Sequence, residues 1–232
     1  MNVRPFIQKT IPTLCGLGLA ACVASRVQAG SINMSIEWPD NVTPPATLVG
    51  PAGGLGETWN QFSTTSAILL KDTNGVSTSV GYFSSGTGWG GPDLWSYTAL
   101  GLIRSGLRNF DVSSANSQRF EINGLTAGQM YSVWIASANC NSGQRSKGVW
   151  STPNQTTTVG DQPCNNTTDL NEVSWVEGNN YVLFENVKAD VNGKITFNGH
   201  SLDGYRLPLN GFQLMEIIEE SPPVTSTTII VR

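Results

Sequence analysis

The sequence predicts an all-β fold, an antiparallel β-sandwich, and three observations support this prediction. Charged residues make up 13% of the 232 residues, about half the share usual in globular domains, which excludes a coiled coil or a long helical bundle. Glycine is abundant, and short runs of alternating polar and apolar residues recur between Gly- and Asn-rich turns. The 7 Trp, 8 Phe and 5 Tyr residues supply a core, which excludes a disordered chain.

Ten segments have a strand pattern, in which side chains alternate or apolar residues run between turns. They are Ser31–Trp38, Thr58–Phe62, Ala67–Lys71, Val76–Phe83, Gln118–Ile122, Met130–Ser137, Ser174–Val176, Tyr181–Val187, Lys194–Asn198 and Leu209–Ile217. The clearest alternation lies in Met130–Ser137, where Tyr131, Val133 and Ile135 share one face and Trp134 belongs to the other. Leu94–Arg108 has roughly helical apolar spacing, so the prediction includes one short helical segment there.

Two turns of the form Asp-x-Asn-Gly, Asp72–Gly75 and Asp190–Gly193, lie between predicted strands and indicate β-hairpins. Both also resemble the start of a calcium-binding loop, which requires a Glu at its twelfth position. That position holds Phe83 in the first case and Ser201 in the second. We therefore interpret both as turns in which Asp caps its own backbone and Gly takes a positive φ.

Residues 1–29 have the features of an export signal. Arg4 and Lys9 precede the apolar run Ile11–Ala24, and Val27–Ala29 fits a cleavage site. The run is shorter than the roughly 20 residues that span a bilayer. Leu19–Cys22 also resembles a lipobox, so lipid anchoring at Cys22 is the alternative to release after Ala29.

Cleavage after Ala29 divides the chain into a β-sandwich domain, residues 30–219, and a C-terminal tail, residues 220–232. The leader contains three basic residues and no acidic one, so 10 basic residues then face 17 acidic ones and the net charge becomes −7. An acidic protein has no electrostatic attraction to nucleic-acid phosphate, so no nucleic-acid partner is expected. No transmembrane segment is expected in the mature chain.

Cys140 and Cys164 are the cysteines that remain after cleavage. They lie 24 positions apart in a chain predicted to leave the reducing cytosol, which favours a disulfide. A disulfide that closes this loop would stabilise the fold by about 3 kcal/mol, because it lowers the conformational entropy of the unfolded chain. The alternative is a metal site, but two cysteines with no histidine nearby form a poor zinc set.

Four segments resemble a known family: GLGETWNQF, NGLTAGQMYSVWIAS, SWVEGNNYVLFENVKADVNGKITF and YRLPLNGFQLMEI. They are similar to secreted jelly-roll β-sandwich proteins of marine bacteria such as planctomycetes. Many proteins of that family end in a PEP-CTERM sorting signal, and they are similar to galactose-binding-like and carbohydrate-binding modules. The resemblance covers most of Ser31–Glu219, and no sorting motif follows Glu219, so we expect no such tail here.

The resemblance implies a jelly roll in which the first and last strands pair, here SINMSIEW with GFQLMEI. It carries no catalytic motif. Domains of this kind often bind a structural calcium ion, for which Asp40, Glu57 and Asp203 are candidate ligands. Spacing alone does not select these three residues.

A catalytic site finds little support in the sequence. His200 is the single histidine, and Ser201 and Asp203 lie close to it. A hydrolase triad would need a nucleophile motif such as G-x-S-x-G, which is absent, so we interpret His200 as an exposed loop residue. A carboxylate pair for glycoside hydrolysis is a property of the fold rather than of spacing, and no pair stands out.

The tryptophans are the best indication of a binding site. Trp89 and Trp95 flank Gly90–Asp93 in a Gly-rich loop, and Trp150 lies between the two cysteines. Exposed aromatic rings stack on the faces of sugars, and carboxylates bind sugar hydroxyls. We therefore predict that Trp89, Asp93, Trp95 and Trp150 form a glycan-binding patch; the alternative is that these rings fold back onto the core.

Together these observations predict a secreted, non-catalytic protein that binds extracellular or cell-surface polysaccharide. The first alternative is a structural protein that self-associates, with its C-terminal strand TTIIVR adding to the sheet edge of a neighbouring copy. The second alternative is a glycan-degrading enzyme. No cofactor is expected beyond the calcium ion mentioned above.

The Gly-rich loop gives a first testable prediction. Trp89→Ala combined with Trp95→Ala should abolish retention on insoluble polysaccharide, because the stacking faces are removed. A pull-down measures retention, and an unchanged melting temperature controls for folding. Retention equal to that of the unmodified chain would contradict the assignment of this loop.

Overall fold

The computed structural model describes ten stretches of the chain. They are residues 31–36, 50–53, 58–62, 65–85, 88–90, 106–108, 118–138, 147–160, 175–202 and 207–218. Every regular element within these stretches is a β-strand, and they contain no helix. The all-β prediction is therefore confirmed.

The described strands form two large sheets and one small sheet. The five-stranded sheet contains, in spatial order, β11 (Tyr181–Lys188), β8 (Met130–Ala136), β14 (Gly211–Glu216), β1 (Ile32–Ile36) and β2 (Asn60–Phe62). The six-stranded sheet contains β10 (Thr156–Gly160), β9 (Lys147–Ser151), β12 (Ile195–Ser201), β7 (Gln118–Asn123), β4 (Gly81–Ser84) and β3 (Ser66–Ala67). A small third sheet contains β13 (Pro208–Leu209), β6 (Gly106–Arg108) and β5 (Gly88–Gly90).

Antiparallel pairing prevails in these sheets, and β1 with β2 forms a parallel pair. The strand β1 pairs antiparallel with β14, so that Ile32 lies opposite Leu214 and Met34 opposite Phe212. The expected pairing of SINMSIEW with GFQLMEI is thus confirmed. It brings distant parts of the sequence together in the middle of the five-stranded sheet.

The core lies between the two large sheets, which form a sandwich. The five-stranded sheet contributes buried side chains at alternate positions, as a strand with one buried face requires. On β8 these are Tyr131, Val133 and Ile135, each fully buried, as the alternation in the sequence predicted. The six-stranded sheet contributes the facing set, which includes Tyr82, Phe120, Ile122, Trp150, Ile195 and Phe197.

An aromatic cluster centred on Phe120 joins the two layers. The Phe120 ring stacks on Phe197 of its own sheet at a centroid distance of 5.4 Å. It also contacts Phe212 of the five-stranded sheet at 5.2 Å. Phe184, from the same sheet as Phe212, packs on Phe197 at 5.1 Å. These rings therefore connect strands that are far apart in the sequence.

Side-chain hydrogen bonds connect the two layers at both edges of the sandwich. On one side Asn60 Nδ2, on β2, donates to the backbone oxygens of Asn33 at 3.0 Å and Lys71 at 2.7 Å. The Lys71 amide donates back to Asn60 Oδ1 at 2.8 Å. On the other side Gln155 Nε2 donates to the backbone oxygen of Glu185, which connects the β10 edge to the β11 edge.

The predicted hairpin around Asp72–Gly75 is confirmed. Lys71 and Ser77 form a bridge, and farther from the turn Ala67 lies opposite Tyr82. The Asp72 carboxylate accepts hydrogen bonds from the amides of Asn74 and Val76, and Gly75 has a φ of +84°. The interpretation of this segment as a self-capped turn is therefore confirmed.

The second predicted hairpin, around Asp190–Gly193, is wrong. The turn itself forms as expected, because the Asp190 carboxylate accepts hydrogen bonds from the amides of Asn192 and Lys194. The strands on either side do not pair, since β11 pairs with β8 and β12 pairs with β7 and β9. The chain crosses here from one sheet to the other, and Leu125 N–H bonds to the Gly193 oxygen to hold the crossover.

Two smaller predictions also differ from the structure. The predicted helical segment Leu94–Arg108 is not helical at its C-terminal end. Gly106–Arg108 there forms β6, in which Leu107 lies opposite Trp89. Two glycines in that segment, Gly101 and Gly106, already weakened a helix. Residues 94–105 lie outside the described stretches. The described part of Ser174–Val176 is not a strand but precedes a turn.

The aromatic cluster leads to a stability prediction. Phe120→Ala should lower the free energy of unfolding by about 3–5 kcal/mol, because it leaves a cavity between the sheets. Urea unfolding followed by circular dichroism measures the change. Phe83→Ala is the matched control: this ring, on the neighbouring strand β4, is 39% exposed, and its loss should cost much less. Equal losses for the two variants would contradict the central role of Phe120.

Candidate functional site

The structure describes only part of the patch predicted from the Gly-rich loop. Trp89 is the middle residue of β5, the edge strand of the small sheet, and lies opposite Leu107 on β6. Asp93 and Trp95 lie outside the described residues. The assignment of Trp89, Asp93 and Trp95 to a glycan site therefore stays a prediction.

Trp150 does not belong to an exposed patch, and this part of the prediction is corrected. Its side chain is 0% exposed and lies in the core. It occupies an inward position of β9 opposite Gly199, where an added Cβ would approach the indole ring to 2.7 Å. Its Nε1–H donates to Ser137 Oγ at 3.2 Å, so the polar atom of the buried ring is satisfied.

Several other predicted positions lie outside the described residues. Cys140 and Cys164 are among them, as are the candidate calcium ligands Asp40, Glu57 and Asp203. Within the described stretches no three His, Cys, Asp or Glu side chains gather as a group able to hold a metal ion. The disulfide and the calcium ion stay predictions.

A second group of aromatic side chains lies on the outer face of the five-stranded sheet. We call Trp134, Trp175, Tyr181 and Leu183 the aromatic surface. All four residues are half-buried, so each one keeps part of its surface in contact with solvent. The rings of Trp175 and Tyr181 meet edge to face, with centroids 6.1 Å apart and planes at 79°.

Strand geometry places these residues together. On β8 the inward positions of Val133 and Ile135 direct Trp134 outward, because successive side chains point to opposite faces. Trp134 lies directly opposite Leu183 on β11. Tyr181 lies two positions before Leu183 and therefore shares its face, opposite the small residue Ala136. The sequence placed Trp134 on the outward face but did not indicate its neighbours.

A turn before β11 positions Trp175 at the margin of the surface. The Val176 amide donates to Asn180 Oδ1 at 2.9 Å, and the amides of Asn179 and Asn180 donate to the Val176 oxygen. These bonds fold residues 176–180 back so that Trp175 reaches Tyr181. Partial burial raises the pKa of the Tyr181 hydroxyl, and the nearby carboxylate of Glu177 raises that pKa further.

Another part of this outer face, on β14 and β1, is covered. Gln213, opposite Trp134 on β14, is fully buried, and so is Asn33 on β1. Gln213 Oε1 accepts a hydrogen bond from the Ala52 amide at 2.8 Å, and its Nε2 donates to Asn33 Oδ1 at 2.9 Å. Residues 50–53 therefore lie on the sheet over Gln213. The sequence analysis did not identify the hydrogen-bonded pair Gln213 and Asn33. The only indication of it in the sequence was that both are amide residues at outward positions of paired strands.

A polar network occupies the outer face of the six-stranded sheet. The Glu121 side chain, 7% exposed, accepts hydrogen bonds from Arg119, through Nε at 2.7 Å and through its terminal nitrogen, and from Lys194 Nζ at 3.1 Å. Burial raises the pKa of Glu121, but the hydrogen bonds and charges of Arg119 and Lys194 outweigh that effect and hold the pKa below its ordinary value. Phe83 lies opposite Glu121 on β4.

His200 was predicted to lie in an exposed loop, and this is wrong. It lies in β12, opposite Val149 on β9, and is half-buried. The strand continues to Ser201, beyond the end predicted at Asn198, and within it Gly199 lies against the Trp150 ring.

Comparison with known proteins gives little further information. No family model matches this sequence, and no curated protein matches it. One solved structure, named insecticidal crystal protein Cry2Aa, is similar over 62% of this chain, with 15% identity and a TM-score of 0.33. The match spans 24% of that protein's chain. A TM-score of this size is too low for the likeness to bear on function.

Hydropathy adds one observation about membranes. Among the described residues, no helical segment has the length and apolar character that crossing a bilayer requires.

The Glu121 network predicts a pH dependence of stability. Because the folded-state pKa of Glu121 is lowered, its stabilisation is complete above the ordinary value of 4.5 and is lost as pH falls through the folded-state pKa. Glu121→Gln should lower the free energy of unfolding by about 1 kcal/mol at pH 7, and the difference should shrink in acid. Urea unfolding between pH 3 and pH 7 (roughly the range over which carboxylates titrate) measures it.

The control for this experiment is Glu185→Gln, which removes an exposed carboxylate from the other sheet. Its stability should stay close to that of the unmodified chain at every pH. If Glu121→Gln lowers the free energy of unfolding as much at the lowest pH as at pH 7, the charge of Glu121 is not the cause of the loss.

Proposed function

We propose that this protein binds polysaccharide without catalysis, and that the aromatic surface is where the sugar chain lies. The observation that supports this proposal is the grouping of three aromatic rings, Trp134, Trp175 and Tyr181, at partly exposed positions on the outer face of one sheet. Aromatic side chains that are grouped together and partly exposed often mark a binding site.

The chemistry of sugars fits this surface. A pyranose ring has apolar C–H faces, and an aromatic side chain offers a large, rigid apolar area at low cost in conformational entropy. Trp134 and Leu183 are carried by two hydrogen-bonded strands, so their relative position is fixed before binding. Such preorganisation reduces the entropy lost when a ligand binds.

The order of the strands supports the finer interpretation of the fold as a jelly roll. The order β1-β14-β8-β11 in one sheet and β7-β12-β9-β10 in the other makes the chain alternate repeatedly between layers. That alternation is expected when a long hairpin is wound into a double-sheet barrel. The predicted export signal is in keeping with a secreted or lipid-anchored protein that meets polysaccharide outside the cell.

A second candidate function, self-association, is favoured by a separate observation. The hairpin that follows β3, an edge strand, exposes several apolar side chains: Ile68 is 75% exposed, Leu69 61% and Val76 55%. Exposed apolar residues at a sheet edge are typical of interfaces between copies. Size-exclusion chromatography at low and high protein concentration distinguishes this function from binding by a monomer.

The aromatic surface gives a direct test of the proposal. Trp175→Ala combined with Tyr181→Ala should weaken binding to a retained polysaccharide at least about tenfold, which corresponds to about 1.4 kcal/mol. Two stacking faces are lost in that variant. Affinity electrophoresis in gels containing different soluble polysaccharides measures the effect, with melting temperature as the folding check.

The matched control is Ile68→Ala combined with Phe83→Ala, which removes comparable exposed apolar area from the other sheet. This variant should migrate like the unmodified chain. If it loses retention while the Trp175/Tyr181 variant keeps it, the aromatic surface is not the site. If the unmodified chain is retained by no polysaccharide, the proposed function is wrong and self-association becomes the better account.

A further inference from the structure

We infer that the aromatic surface selects uncharged glycan chains and rejects polyanionic ones such as uronate or sulfate polymers. This inference rests on the proposed function and goes beyond it, because stacking alone does not distinguish charged sugars from neutral ones. The distinction comes from the charged side chains that border the four residues of the surface.

Two carboxylates border the aromatic surface. Glu177 lies in the turn between Trp175 and Tyr181, forms a bridge with Tyr181, and is close enough for its charge to raise the pKa of the Tyr181 hydroxyl. Glu185 lies two positions after Leu183 on β11, in the bulge between Phe184 and Val187, and it is exposed. The glycan would therefore lie between two acidic groups.

Among the described residues, β8 and the turn and part of β11 that carry the aromatic surface contain no basic side chain. Residues 175–185 and β8 contain no Lys or Arg. The next basic residue along β11 is Lys188, which follows the bulge at Asn186 and lies opposite Met130 at the far end of β8. Lys147, whose partner Gly160 donates a hydrogen bond to the Gly178 oxygen of that turn, belongs to β9 of the opposite sheet. Arg119 and Lys194 belong to the outer face of the opposite sheet, where both bind Glu121.

The expected consequence is electrostatic discrimination. Like charges within about one Debye length repel each other, and that length is about 10 Å at 0.1 M salt. A polymer with a negative charge on every sugar would bring several charges within this distance of Glu177 and Glu185. An uncharged chain meets no such repulsion, because it carries no charge for these carboxylates to repel.

A matched pair of ligands tests the inference. The probe is a soluble neutral glucan and the same glucan after oxidation of its primary hydroxyls to carboxylates, so that length and linkage stay constant. The whole exported chain should bind the neutral form at least about tenfold more tightly at low salt, and the ratio should shrink at high salt because charges are screened.

A double variant assigns the discrimination to named residues. Glu177→Gln combined with Glu185→Gln should bind the oxidised glucan several-fold more tightly than the unmodified chain does, with little change for the neutral form. The control is Asn74→Lys combined with Val191→Lys, which changes the net charge by the same two units at exposed turns elsewhere. This control should leave the ratio of the two affinities close to that of the unmodified chain.

The outcomes separate the two proposals. Equal or tighter binding of the oxidised glucan by the unmodified chain would overturn the selectivity while leaving polysaccharide binding intact. The same conclusion holds if the Glu177/Glu185 variant leaves the ratio unchanged, or if the turn-lysine control shifts it equally. Absence of binding to both forms and to every other neutral polysaccharide would overturn the proposed function, and the selectivity with it.

Discussion

The packing of Phe120 between the two sheets is the constraint on which the rest of this structure depends. Its ring contacts Phe197 in its own sheet and Phe212 in the other. Each of these residues occupies an inward position on its strand, and side chains alternate along a strand. A shift of one residue would expose the whole apolar set. The cluster therefore determines which side chains of β7, β12 and β14 point into the core and which point outward.

The aromatic surface follows from the same rule on the neighbouring strands. Val133 and Ile135 are buried, so Trp134 between them must point outward. On β11 the burial of Val182 and Phe184 similarly leaves Leu183 outward. The outward rings are thus carried by strands whose other face is locked into the core. A surface built in this way is held in place by the core packing beneath it.

The sequence predicted those features that local alternation determines and failed where distant packing decides. Alternation predicted the faces of β8 correctly, whereas the pairing of β1 with β14, also correct, was expected from the family resemblance. Asp72 and Asp190 cap their turns with the same hydrogen bonds, yet the first joins paired strands and the second crosses between sheets. No local signal separates these outcomes. Trp150 was misplaced for a similar reason, since its burial depends on Gly199 from another strand.

Among the described residues, a separate segment covers one half of the outer face of the five-stranded sheet. Over β14 and β1, residues 50–53 bind Gln213, and the polar groups beneath are buried and paired. Toward the β11 edge Trp134, Tyr181 and Leu183 are half-buried, whereas Ser132 and Ala136 on β8 are buried. A bulge at Asn186 interrupts the regular edge of β11, and bulged edges resist the addition of a further strand. This edge is therefore poorly suited to pairing with a strand of another copy. The self-association proposed above would instead use the apolar hairpin that follows β3, on the opposite side of the sandwich.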